Sequence, residues 1–274
     1  MEKSLGFDHP EVAISLNNLA LFYNSQGRFT EAEPLFKRTL VILEKSFGSD
    51  HPFVAGRLHN LAGIYRDQRK YTEAESLYKR ALIIREKSLG SDNPDVATTL
   101  IYLAGLFRDQ GKYAKAEPPY IRALAILEKA LGPDHPDVAI SVNDLAGLYK
   151  AKGRYTDAEP LYIRALAIRE KALCHDNPEV AISLNDLAGL YLSQGRYSEA
   201  EPLLKRALAI LEKVLGSDHP NTEVVRYNLK TLQEKNSTKA RSDKRTDYLR
   251  SSDNKVDFGM IFLQDGAAKI GKGG

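Results

Sequence analysis

The sequence predicts an all-α fold: a solenoid of antiparallel helix pairs followed by a disordered C-terminal tail. Three observations carry that expectation. A dipeptide ending in proline recurs every 42 residues, as His9-Pro10, His51-Pro52, Asn93-Pro94, His135-Pro136, Asn177-Pro178 and His219-Pro220. After each marker, apolar residues return at helical spacing, as Leu16, Leu19, Ala20 and Tyr23, or Leu184, Leu187, Ala188 and Tyr191. From Asn236 onward both patterns stop. A fixed period of this size marks stacked units, none of which buries its apolar stripe alone.

Taken in order, residues 1–9 match the end of a unit. Glu2-Lys3-Ser4-Leu5-Gly6-Phe7-Asp8-His9 parallels Glu212 to His219, so the chain is expected to begin inside a truncated repeat. Five units fill residues 10–219, and a half-unit at 220–235 supplies a capping helix. In each unit the first helix opens at the proline, whose missing N–H is not needed there. The preceding His or Asn takes the N-cap, and Glu11, Asp95, Asp137 and Glu179 sit where the helix dipole favours acids. The helix is expected to stop at Gly27, Gly111, Gly153 and Gly195 in left-handed turns, with Arg69 as a strained exception.

The second helix carries hydroxyl-to-glutamate spacings, Thr30 to Glu33, Thr72 to Glu75, Thr156 to Glu159 and Ser198 to Glu201, that read as capping boxes. Ala114 breaks the pattern in the third unit and Pro118-Pro119 follows, so that helix is expected to start least firmly. Its stripe runs through Ala32, Phe36, Leu40 and Leu43, with Ala158, Tyr162, Leu166 and Ile168 as equivalents, the last one residue out of step. The half-unit places Val224, Val225, Tyr227, Leu229 and Leu232 on an apolar side and Lys230, Gln233, Glu234 and Lys235 toward water. Asn236 to Lys255 is polar without a period and reads as disordered. The apolar island Phe258 to Leu263 reads as functionally silent, with a docking peptide as the alternative.

The formal charge is +3. Residues 236–274 hold eight of the 39 Lys and Arg and five of the 36 acids, so the repeats themselves are neutral. That argues against a nucleic-acid surface, which needs a basic stripe. The only cysteine, Cys174, rules out an intrachain disulfide and fits a reducing, cytoplasmic setting. No signal-peptide pattern and no membrane-length apolar run is present, so no membrane partner is expected.

The signature Leu16…Leu19-Ala20…Tyr23…Gly27…Phe29…Ala32…Phe36…Leu40 resembles the tetratricopeptide repeat. The 42-residue unit, with its Gly-x-Asp-His-Pro-Asp-Val-Ala-like linker, resembles the kinesin light chain version and its bacterial relatives. The resemblance covers residues 1–235. It implies a right-handed α-solenoid whose first helices line a concave groove for extended peptides. It does not imply kinesin binding, since the coiled-coil segment of a light chain does not occur in this sequence.

Carried over from the family, groove positions fall in three rows of the first helices. One is Asn17, His59, Ile101, Asn143 and Asn185; the next is Asn18, Asn60, Tyr102, Asp144 and Asp186. A turn further lie Asn24, Arg66, Arg108, Lys150 and Leu192. Amides can pair with both backbone groups of an extended peptide, and guanidinium groups would add carboxylate recognition. The groove is therefore expected to be basic and aromatic in the middle and more acidic toward units four and five. The plain alternative is that these are ordinary solvated helix residues. Gly63, Gly105, Gly147 and Gly189 sit in mid-helix, where glycine costs about 1 kcal/mol against alanine. Either close helix approach or room for a ligand backbone would account for them.

No catalytic or metal constellation stands out. His9, His51, His135 and His219 are a whole unit apart, and Asn93 and Asn177 replace them, which suits caps and not metal ligands. Cys174 and His175 fall in a linker, and Asp257-Phe258-Gly259 lacks every other kinase element. The expected function is a non-catalytic, cofactor-free protein-interaction scaffold binding extended peptides. The alternative is a sensor or regulatory arm of a larger signalling protein, such as an ATPase-linked regulator, truncated upstream. Acidic segments are expected near Arg66 and Arg108, and self-association through an open N-terminal end.

Overall fold

The computed structural model describes Gly6 and residues 9–235. The expected tail, the apolar island and most of the first nine residues lie outside these. Five helix pairs follow one another: α1 (Pro10–Ser25) with α2 (Phe29–Phe47), α3 (Pro52–Asp67) with α4 (Tyr71–Leu89), α5 (Pro94–Asp109) with α6 (Tyr113–Leu131), α7 (Pro136–Ala151) with α8 (Tyr155–Ala172), and α9 (Pro178–Ser193) with α10 (Tyr197–Leu215). An eleventh helix, α11, covers residues 220–235. No strand occurs among the described residues.

Each first helix starts as its sequence dictates. His9 Nδ1 accepts from the Glu11 N–H at 3.2 Å, and Asn93 Oδ1 accepts from the Asp95 N–H at 2.8 Å. Each ends in paired bonds around a left-handed residue. The Arg28 N–H donates to Tyr23 O at 2.9 Å and the Gly27 N–H to Asn24 O at 2.9 Å, with Gly27 at φ 71°. Arg69 adopts the same turn at φ 60°, the only non-glycine with positive φ among the described residues.

The second helices differ from expectation. They begin at Phe29, Tyr71, Tyr113, Tyr155 and Tyr197, one residue before the hydroxyl, and no side chain caps them. The spacing of a capping box is present without its geometry, because the turn places the preceding Arg or Lys at the N-cap. The third unit's helix starts in the same register as the others, since the hydroxyl that Ala114 lacks has no capping task. The glutamates act elsewhere. Glu33 accepts from Tyr65 Oη at 3.2 Å and pairs with Lys70 at 3.2 Å, both in the next unit. Glu159 accepts from Tyr191 Oη at 3.1 Å and meets the Arg196 guanidinium through both oxygens, at 2.6 and 2.9 Å. They clasp one unit to the following one. Lys37 first, then Lys70, holds Glu33 at about 2 against the opposing effect of burial.

Cys174 occupies a place that Gly48, Gly90, Gly132 and Gly216 fill elsewhere at φ near 87°. An L-residue avoids that conformation. The helix before it, α8, is one residue shorter than the other second helices, and Leu173 takes an extended conformation instead.

Small residues set the helix separation within a pair. Ala20, Ala62, Ala104, Ala146 and Ala188 are fully buried, as are Ala32, Ala74, Ala116, Ala158 and Ala200. Between pairs, Ile64, Leu106, Leu148 and Leu190 are fully buried, each contributing about 2 kcal/mol. Leu43 has arginine as its equivalent in units two and four. Arg169 is 5% exposed and donates to Ser183 Oγ at 2.6 Å, while Arg85 donates to Thr99 Oγ1 at 2.6 Å. Ile168 is buried in step with Ile42, Ile84, Ile126 and Ile210.

The two ends are unlike. In α11, Glu223, Arg226 and Lys230 replace the alanine, leucine or valine, and alanine that face the paired helix in every complete unit. Val225 and Leu232 stay buried against the preceding unit. At the other end Phe22 is 55% exposed and Leu19 42%, although their counterparts in later units are buried.

Candidate functional site

The first helices meet side by side through short side chains. Asn60 Nδ2 donates to Asn17 Oδ1 at 3.3 Å, Asn143 Nδ2 to Asp186 Oδ2 at 2.8 Å, and Asn228 Nδ2 to Asn185 Oδ1 at 2.9 Å. The second helices are bridged instead by long pairs, such as Arg80 to Glu44 at 2.6 Å and Arg122 to Glu86 at 2.6 Å. The first helices are thus joined by short links and the second helices by long ones.

The two amide rows are thus one interlocking seam. Asn17, His59, Asn143 and Asn185 each meet the residue 43 positions on, in the next unit. Asn17, Asn60, Asn143 and Asn185 already use part of their hydrogen-bonding capacity on this seam. Asn18 stands at its open beginning and is exposed. At the second boundary the seam changes chemistry, and the His59 ring meets Tyr102 edge-on with centroids 4.5 Å apart. Tyr102 is 41% exposed.

The third row is not a row of free cations. Arg66 Nε donates to Asp109 Oδ2 at 2.6 Å, and Arg108 lies 3.8 Å from both Asp109 and Asp144. The middle of the face therefore carries its own carboxylates beside the guanidinium groups. Asp144 and Asp186 lie in the fourth and fifth units. Burial raises the pKa of both above the ordinary carboxylate value and lowers that of Lys150.

Of the mid-helix glycines only Gly189 lies closer to a side chain than a methyl group would allow; the other three leave ordinary contact distances. A methyl group on Gly105 would stand 3.6 Å from the Arg66 guanidinium, and one on Gly189 would stand 2.9 Å from Lys150 Nζ. At Gly63 and Gly147 the nearest atoms are the hydroxyls of Tyr78 and Tyr162, at 3.8 and 3.6 Å. The third-row cation of one unit, or a second-helix tyrosine, lies over the glycine.

One cavity of about 200 Å3 opens on this face, bounded by Asn24, His59, Arg66, Asp67, Tyr78 and Tyr102 among others. Burial, with a smaller effect from Arg85, pulls the His59 pKa down to about 4, so its ring is neutral. Tyr78 was not among the sequence candidates. Its column reads Phe36, Tyr78, Tyr120, Tyr162 and Leu204, so the hydroxyl alone did not set it apart. No cluster of three or more His, Cys, Asp or Glu that could hold a metal occurs among the described residues.

The tetratricopeptide repeat profile matches residues 54–129, 104–171, 141–213 and 179–241, and a second profile of the same name matches 12–53. The chain is a tetratricopeptide-repeat protein. Its repeats are similar to those of a putative kinesin light chain from Podosopora anserina, 30% identical over 75% of this chain and 97% of that one, with a TM-score of 0.64. They are also similar to BtubC (BKLC) from P. vanneervenii, 26% identical over 77% and 84%, at a TM-score of 0.66. Aspartyl phosphate phosphatase F from Bacillus subtilis, 16% identical over 86% of this chain and 59% of that one, shares the fold at a TM-score of 0.69. No curated protein matches the chain. Tetratricopeptide-repeat arrays are scaffolds typical of protein–protein interaction and generally non-catalytic. No described helix is long and apolar enough to cross a membrane.

Proposed function

We propose that this tetratricopeptide-repeat protein is a non-catalytic cytoplasmic scaffold that holds an extended peptide segment of a partner protein along its first-helix face. Residues 10–219 are the working units in this reading, and 220–235 close the stack. The supporting observation is the seam itself. Amides buried at Asn17 and half-buried at Asn60, Asn143 and Asn185, a histidine, an exposed tyrosine and charged tips follow one another on a single face for the length of the array. Solenoids use their extended inner surfaces in this way. The peptide would run over Asn17, Asn60, Tyr102, Asp144 and Asp186 and their neighbours. An acidic segment would have to displace Asp109 from Arg66, so charge selectivity falls mainly to Arg108.

The bare face of α1, with Leu19 and Phe22 exposed, supports self-association of two copies through that end. The same face supports a second reading, in which the array is a sensor or regulatory arm within a larger signalling assembly.

The groove reading is tested by panning displayed random 12-residue peptides against the whole chain. Enriched peptides carrying a photoreactive residue should label α3, α5 and α7. Labelling confined to the second helices, or no enrichment, would overturn it. Arg108→Glu should weaken acidic binders about tenfold and leave neutral ones unchanged.

A further inference from the structure

One position on the first helices changes character toward the C-terminal end. Ile14, Gly56 and Thr98 hold it in units one to three, then Ile140, Ile182 and Val224 follow without a break. Ile140 is 45% exposed and Val224 53%, while Ile182 is half-buried. Ile182 and Val224 bound a cavity of about 210 Å3 that Asn185, Leu211, Asn221 and Val225 complete. Asn185 belongs to the seam, so this aliphatic row lies on the same face. A contiguous exposed apolar surface with a polar rim marks a place where something binds.

The rim is acidic. Asp144 and Asp186 stand one turn beyond Ile140 and Ile182, and Asp137 and Glu179 stand one turn before them. Arg108, 3.8 Å from Asp144, Lys150 near Asp186, and buried Arg169, 3.3 Å from Glu179, offset part of this charge. Asp137 and Glu179 are exposed, and Asp137 has no lysine or arginine partner among the described residues.

We propose that this row is the docking site for a segment of the same chain, residues 239–250, with Leu249 filling the cavity and its basic neighbours facing the acids. The segment holds five Lys or Arg against two Asp. Tyr248 and Leu249 are the only large apolar residues between 236 and 255. The row ends on α11, the helix from which the segment leaves. Val224 lies 11 residues before Lys235, about 16 Å back along α11. The 14 residues from Lys235 to Leu249 span up to about 46 Å, so the return is within reach. Linkage through so short a connection holds the segment at about millimolar effective concentration, enough for a small contact to be occupied. The apolar island Phe258 to Leu263 fits less well, because Asp257 and Asp265 flank it and would meet an acidic rim. The inference goes beyond the groove reading and does not rest on it. A partner peptide that reaches units four and five would have to displace this segment first.

The test places a benzophenone amino acid at position 248 of the full chain and irradiates it at high dilution. The label should fall on α9 or α11 of the same chain, near Ile182 and Val224. Leu249→Asp, Ile182→Lys, and Lys244→Glu with Arg245→Glu should each remove most of it, through the lost apolar contact or the reversed charge. Leu249 and the two basic residues lie outside the repeats, so those losses do not depend on how the array tolerates a substitution; circular dichroism checks the Ile182 variant. Label joining two chains, label that persists in Leu249→Asp, or no label on these helices would overturn the proposal. So would a benzophenone at position 260 that marks the same helices when one at 248 does not, which would assign the site to the apolar island.

Discussion

Acid should weaken this array at His59 before it protonates most of the carboxylates. The imidazole is neutral in the fold, with its pKa lowered to about 4 by burial first and Arg85 second, against about 6.5 in an unfolded chain. Between those two values the unfolded chain binds a proton that the folded chain refuses, so stability rises with pH there. The contribution is intact near pH 7 and is lost as pH falls through 6.5 toward 4. At about 1.4 kcal/mol per pH unit separating the values, the full loss is about 3 kcal/mol, of which about 2 kcal/mol is gone by pH 5. His59→Asn removes the titration, and asparagine already stands at the equivalent positions 17, 143 and 185. Carboxylates held low by lysine, such as Glu33, lose their contribution in both proteins and cancel in the comparison. Urea unfolding followed by circular dichroism at pH 7, 6 and 5 measures the difference, and amide exchange in α3 localises it. Parallel stability curves for the two proteins would refute the assignment.

Two further outcomes are expected. Arg69→Gly should raise stability by about 1 kcal/mol, because glycine takes the φ of 60° without the strain that an L-residue suffers; no rise in the urea midpoint would mean that the turn has already relaxed. Sedimentation should show concentration-dependent association through Leu19 and Phe22, abolished by Phe22→Glu; a strictly monomeric profile at high concentration would contradict it.

The helices were legible because proline, glycine and the apolar spacing act locally. Pro10 and Gly27 each fix a helix boundary through their own backbone, and His9 caps through the nearest N–H. The start of the second helix was misread because the spacing from Thr30 to Glu33 satisfies the capping pattern while the turn before it has already fixed the register. Glu33 then serves Tyr65 and Lys70, residues more than 30 positions away, and no local pattern announces that. The same limit applies to the face. The sequence placed Asn17, Asn60, Asn143 and Asp186 on the right helices but read them as parallel rows, whereas the offset of 43 joins them across boundaries. The basic row suggests acidic partners near Arg66, but Asp109, 43 positions on, already pairs with it, and no local pattern shows that.

The seam at offset 43 means that what meets what is written at the junctions, not inside the units. Excising one whole period, residues 94–135, would remove α5 and α6, leave the other helices and every turn type, and set His59 opposite Asp144 instead of Tyr102. A family of proteins could therefore be recut from the same bricks by shuffling their order. Each new adjacency would present a different combination of side chains at a joint whose backbone hardly changes.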